Sequence, residues 1–344
     1  MMIIDPPESR RSSKSTLNSR LSDRTPEKVR LQEVEQTLLI TLFWKSLDAQ
    51  QKSPILGDQY AQRILDRLED QDLEGTYGTD ERWVRYVAGR ARQMDEWTEE
   101  FLARHPDEHV TVLHLACGLD ARDLRVRRDP EKVRWVDVDR PLVANLRERI
   151  FVDDLGGLSS DLSSSHSGSH GSVSGSVGGS GGGFYDDSLR PRGDYSLRTL
   201  NVTEGRWYSD IPADRPTLIV AEGLFPYLSP EEAEKVIRGL LDYFGRGELV
   251  FDTVGSLAVN HTKRANVLKP SGSRFQWGVD DARTIQDIHP KLRLKDEKRW
   301  YQFMGVVGEV SKDTAPPWFG PKAMALAQLT SSFRDNGQVL RFEF

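Results

Sequence analysis

Thr111-Val-Leu-His-Leu-Ala-Cys-Gly-Leu-Asp-Ala-Arg122 reads as a buried strand that runs straight into a small-residue turn. Thr111–Ala116 is a short, nearly continuous apolar run, the pattern of a parallel strand covered on both faces. The turn carries Ala116, where a first glycine is usual, and Gly118. Small residues there let a ligand lie close to the backbone. A second strand, Val133–Val138, follows, and Asp139 stands just past it, 21 residues after Gly118. A carboxylate at that place can accept both hydroxyls of a ribose. Asp137, two residues earlier, points to the same side of an extended strand, so either acid fits the role. Strand, turn and strand-end acid together predict a cofactor that contains a nucleoside.

Working outward, further strands read at Leu197–Leu200, Thr217–Ala221 and Glu248–Phe251, with helical stretches between several of them. This alternation predicts a parallel, doubly wound α/β sheet. Ser229, Pro230 and Glu232 form a capping-box signature at the start of a helix. The alternating end, Val339–Phe344, predicts a last strand. Upstream, three sets of apolar residues recur at helical spacing: Leu38, Leu39, Leu42 and Phe43; Ile64, Leu65 and Leu68; Trp83, Tyr86, Val87 and Met94. We therefore divide the chain into a flexible tail (1–26), a helical cap (27–106) and a sheet domain (107–344). An insert at 156–183, where 21 of 28 residues are Ser or Gly, is expected to be disordered. His166 and His170 within it are spaced like a metal pair but read as solvated loop residues, and no metal site is expected.

The 344 residues are 37% hydrophobic and 29% charged, with a net charge of −6. No basic face for nucleic acid is implied. No apolar run reaches the roughly 18 residues of a membrane span, and residues 1–26 lack the apolar core expected of a secretory signal. The one cysteine, Cys117, rules out a disulfide within the chain, and a cytoplasmic location is expected. Cys117 reads as a packed thiol, since no motif supplies a base, and His114 as a core residue. His261 and His289 are lone histidines. A dinucleotide is the competing cofactor. It would need a third glycine, where Ala121 stands, and a hydride-transfer site, which is not found. S-adenosylmethionine lacks a pyrophosphate and so needs no three-glycine cradle.

Leu115–Arg122 followed by Trp135-Val-Asp-Val-Asp-Arg-Pro141 resembles the leucine carboxyl methyltransferase superfamily, and within it the polyketide-type (tetracenomycin-type) O-methyltransferases. So do Thr37–Lys45, Gly57–Ala61, Val87–Asp95 and Ala221-Glu-Gly-Leu-Phe-Pro-Tyr-Leu-Ser-Pro-Glu-Glu232. The resemblance implies a class I methyltransferase Rossmann-like sheet, mostly parallel with an antiparallel C-terminal strand, and S-adenosylmethionine as cofactor. It also implies roles. Arg90 would pair with the methionine carboxylate through its fork. Gly118 and Ala116 would line the turn, Asp139 would hold the ribose, and Glu222 would pair with the α-ammonium. Asn201 stands where the family has an acid beside the adenine, and Lys45 matches a basic family position loosely.

The expected reaction is O-methylation of a carboxylate or phenol on a small, polyketide-like molecule. The alternatives are a protein C-terminal carboxyl methyltransferase and a non-catalytic cofactor-binding scaffold. Methyl transfer from a sulfonium needs mainly positioning, and no catalytic dyad is read. Phe275, Trp277 and Trp300 are read either as pocket lining or as core aromatics. The sequence does not indicate an oligomeric state.

Overall fold

The computed structural model describes residues 33–68, 72–154, 193–261, 274–303 and 337–344. The tail at 1–26 and the Ser/Gly insert at 156–183, with His166 and His170, lie outside them. The strands are β1 (Val110–Leu115), β2 (Val133–Asp139), β3 (Tyr195–Thr199), β4 (Thr217–Ala221), β5 (Gly247–Val254), β6 (Arg293–Arg299) and β7 (Gly337–Glu343). They form one seven-stranded sheet in the order β3-β2-β1-β4-β5-β7-β6. Pairing is parallel from β3 to β5, whereas β7 runs antiparallel to both β5 and β6.

The apolar strands are buried on both faces, and alternate residues feed opposite cores. On one face Leu113, Val136, Ile219, Phe251 and Phe342 pack beneath α7 (Pro230–Tyr243), which contributes Val236, Ile237, Leu240 and Leu241. On the other, Val112, Trp135, Val220, Val250 and Val339 pack against Met94, Trp97 and Phe101 of α4 (Glu81–Ala103). The long upstream helix is thus one of the layers that cover the sheet. α1 (Glu33–Ala49) and α2 (Gln59–Leu65) join α6 (Pro141–Asp154) around Leu119 and Ala121, directly behind the turn after β1. Short helices α3 (Leu73–Tyr77), α5 (Arg122–Arg125), α8 (Ser256–His261) and α9 (Trp300–Phe303) complete the α-helices among the described residues.

Local chemistry sets the ends of these helices. Asp80 caps α4 by accepting from the backbone N–H of Arg82. The capping box at α7 is formed as read: Ser229 Oγ accepts from Glu232 N, and Glu232 accepts from Ser229 N.

The strand bounds shift from those read in the sequence: the first strand is Val110–Leu115, the fifth Gly247–Val254 and the last Gly337–Glu343. The second strand runs on through Asp139, and the third starts at Tyr195 and ends at Thr199. Strand β6 was not anticipated. Its sequence, Arg-Leu-Lys-Asp-Glu-Lys-Arg, shows no apolar alternation because it is the sheet's edge, where charge keeps other chains from pairing. Trp277 stacks on Phe251 at 6.3 Å and meets Phe225 edge-on at 5.8 Å, the core placement of the two readings given for it.

Candidate active site

The strand order reverses between β1 and β4, and in open α/β sheets ligands bind outside the carboxyl ends of the strands at such a switch. The turn after β1 has two left-handed residues, Ala116 at φ 49° and Gly118 at φ 57°. Ala116, the departure noted in the sequence, therefore takes the conformation a glycine would take more readily. A Cβ at position 118 would stand 2.7 Å from Leu38 Cδ2 of α1. Gly118→Ala is therefore expected to destabilise the fold by about 1–3 kcal/mol through the left-handed backbone, with the crowding added. Denaturant unfolding measures this, and an unchanged midpoint would contradict it.

Asp139 and Asp137 share a strand side but not a role. Asp139 Oδ2 accepts from Gly118 N at 2.7 Å and Oδ1 from Arg140 N at 2.7 Å, so the acid ties the end of β2 to the turn. Burial pushes its carboxyl above the ordinary value, against those two donors. Asp137 is fully buried. It accepts from Arg147 Nη2 at 2.5 Å, Trp135 Nε1 at 2.7 Å, Tyr195 Oη at 2.9 Å and His114 Nδ1 at 3.2 Å. Burial alone would raise its carboxyl, but Arg147 and His114 hold it well below the usual carboxylate range. Its oxygens are spent on core partners, so Asp139 is the acid that faces the turn.

Glu222 follows β4 directly and lies among three cations. Arg122 Nη2 donates to Oε2 at 2.6 Å, while Arg90 Nη2 and Lys45 Nζ stand 3.1 and 3.4 Å from Oε1. Burial works against its charge, but Lys45, Arg90 and Arg122 outweigh burial and hold the carboxyl well below the usual range. Arg90 also donates to Asp252 Oδ2 at 2.8 Å, and Asp252 Oδ1 accepts from Gly223 N at 2.6 Å. Asp120 pairs with Arg125 at 2.6 Å and with Lys45 at 3.3 Å. Tyr86, whose phenol burial pushes up to about 12, lies beneath the Arg90 guanidinium at 5.7 Å and stays protonated at neutral pH.

The structure thus brings Arg90 and Glu222 together, and Ala116, Gly118 and Asp139 beside them. Asn201 lies two residues past β3 at the same sheet edge. Its Oδ1 accepts from Thr203 N at 3.2 Å, closing a local turn. Sequence reading missed Asp120, Arg122 and Asp252, and placed Lys45 only loosely. The Asp-Ala-Arg spacing after Leu119 was the available signal for two of them. A cleft of about 360 Å³ lined by Arg104, Lys291 and Arg293 opens at the opposite end of the strands and takes no part in this arrangement.

A model of the leucine carboxyl methyltransferase family matches residues 38–173. The tetracenomycin polyketide synthesis O-methyltransferase TcmP of Streptomyces glaucescens is 32% identical over 320 residues, spanning 92% of this chain and 99% of that one. The chain belongs to the leucine carboxyl methyltransferase family. A second relative of this family member, the S-adenosyl-L-methionine-dependent methyltransferase dpfgK of Gibberella zeae, is 32% identical over 78% of this chain and 83% of its own. A solved DUF574 family protein from Streptomyces avermitilis shares the fold at a TM-score of 0.50 and 11% identity, covering 89% of this chain and 96% of that one.

This leucine carboxyl methyltransferase family member is a methyltransferase, and S-adenosylmethionine is its cofactor. The residues present fit that molecule. The left-handed Gly223 leaves the turn after β4 open, since an added Cβ there would meet nothing within 4 Å, while the left-handed Gly118 lets the turn after β1 pack closely under Leu38. Among the described residues, buried Arg90 Nε and Asp120 Oδ2 have no hydrogen-bond partner, leaving one donor and one acceptor at the site. No described helix is long and apolar enough to cross a membrane.

Proposed function

We propose that this methyltransferase methylates an oxygen, carboxylate or phenolate, of a small polyketide-like molecule. The observation that carries the reading is the 32% identity to a polyketide O-methyltransferase over nearly the whole of both chains. The charged groups around Glu222 support it. Glu222, Asp120 and Asp252 are each already held by a cation, and Tyr86 stays protonated, so the site suits an acceptor that arrives ionised and needs no base.

The cofactor supplies an activated methyl on a sulfonium, and the chain's residues bind and orient. Asp139 keeps lone pairs beyond the two backbone donors and accepts the ribose hydroxyls. Asn201 meets the adenine edge. Arg90, with Lys45 beside it, takes the carboxylate of the amino-acid end, while Glu222 takes the α-ammonium. Arg90 and Glu222 are already an ion pair, so a zwitterion placed between them leaves the net charge of the site unchanged. Ala116 and Gly118 keep the turn low enough for the nucleoside to lie over it.

Asp139→Ala is expected to weaken S-adenosylhomocysteine binding by about 1.5–3 kcal/mol, the range for a hydrogen bond to a charged group. Calorimetry at neutral pH measures this, and unchanged affinity would remove Asp139 from the ribose. The function itself is tested with methyl-labelled cofactor and a cell extract. Label on small-molecule oxygen is expected. Label mainly on protein C-termini, nucleic acid or nitrogen would overturn the reading. With a carboxylate acceptor the rate is flat above about pH 6; with a phenol, whose pKa lies near 10, it rises with pH.

A further inference from the structure

Arg122 opens α5 directly after the turn and is fully buried, and side chains from several elements converge on its guanidinium. Nε donates to Asp95 Oδ1 of α4 at 2.6 Å, and Nη2 donates to Glu222 Oε2 at 2.6 Å. Asp120 Oδ2 lies 3.5 Å from Nη2. Nη1 faces His114 Nε2 of β1 at 3.2 Å. A guanidinium only donates and stays charged, so Nε2 of His114 is the accepting nitrogen. The ring proton therefore sits on Nδ1 and donates to Asp137 Oδ1, 3.2 Å away. Arg147, Asp137, His114, Arg122 and Glu222 thus form one continuous buried chain of polar contacts that ends at the site.

This chain makes the two oxygens of Glu222 unequal. Oε2 is clamped by Arg122, whereas Oε1 faces Arg90 and Lys45 at 3.1 and 3.4 Å. A carboxylate gripped at one oxygen by a planar fork, itself gripped by Asp95 and His114, has no freedom to turn its other oxygen away. We propose that Arg122 is the positioning residue of the cofactor site: oriented by Asp95 and His114, it fixes the Glu222 carboxylate so that Oε1 is presented to the α-ammonium of S-adenosylmethionine. The proposal rests on the reading that Glu222 meets that ammonium. Arginine is required here because a lysine ammonium is a point charge and does not span Asp95, His114 and Glu222 at once.

The test uses the full chain and two ligands, S-adenosylhomocysteine and 5′-methylthioadenosine, which lacks the amino-acid end. Calorimetry on wild type and Arg122→Lys gives four affinities. Arg122→Lys is expected to bind S-adenosylhomocysteine about 10–100-fold more weakly, roughly 1.4 kcal/mol per tenfold, and 5′-methylthioadenosine as the wild type does. Equal losses for both ligands, or no loss for either, would overturn the positioning role, because a merely structural residue does not separate the two. A wild type that binds both ligands alike would instead defeat the underlying placement of Glu222. If Arg122→Lys does not fold, Asp95→Asn loosens the same guanidinium without touching Glu222. It is expected to weaken S-adenosylhomocysteine alone, by a smaller factor, and a uniform effect on both ligands would again overturn the proposal.

Discussion

Asp137→Ala unfolds at markedly lower denaturant than the wild type, with a loss of about 3–5 kcal/mol, the cost of breaking a buried ion pair by removing one partner. The variant leaves Arg147, bonded to Asp137 at 2.5 Å, as a buried cation whose remaining carboxylate partner among the described residues is Asp123 at 3.1 Å. It also removes the acceptor to which Trp135 Nε1, Tyr195 Oη and His114 Nδ1 donate. These donors come from β1, β2, β3 and α6, so their loss is felt across half the sheet. Chemical denaturation checks the size of the effect. A loss below 1 kcal/mol would mean that the core relaxes to satisfy these groups, or that the Arg147 pairing is worth little.

Arg90→Ala has the second large effect, and it changes with pH. Removing the guanidinium leaves Glu222 with Arg122 and Lys45, but among the described residues it leaves Asp252 with no cation in ion-pair distance. Burial already pushes Asp252 above its ordinary value of 3.8, against the pull of Arg90. Without Arg90 the folded-state value climbs further. A carboxyl with a raised folded value is favoured when protonated, so the stability it confers is lost as pH rises through that value. The variant is therefore expected to lose about 3–5 kcal/mol near neutral pH and distinctly less toward acid pH, where Asp252 is protonated. Melting curves across this range check the sign. A deficit that grows toward acid would place the damage elsewhere. The thermal shift that S-adenosylhomocysteine gives the wild type by mass action is expected to vanish in this variant at neutral pH.

Much of the fold was legible because burial on both faces writes itself into a strand. Thr217–Ala221 is continuous in sequence and fully buried in the sheet. The capping box at Ser229 was legible because it is local, closed by residues three apart. What could not be read depends on distant partners. Asp137 and Asp139 look alike along β2. Arg147, arriving from α6, and Tyr195, from the neighbouring strand, spend one of them and leave the other facing the turn. Edge strand β6 carries charge where the reading sought alternation. Arg122 and Asp120 stood in the motif from the start, but their meaning lies in Asp95, Lys45 and Glu222, which come from α4, α1 and the end of β4.

The most direct measurement is a crystal structure of the full chain with S-adenosylhomocysteine. Both ribose hydroxyls are expected within about 3 Å of the Asp139 carboxylate, with the homocysteine carboxylate against Arg90 and its ammonium against Glu222 Oε1. A ribose held by any other acid, or an amino-acid end that touches neither Arg90 nor Glu222, would contradict the placement of the cofactor on this sheet.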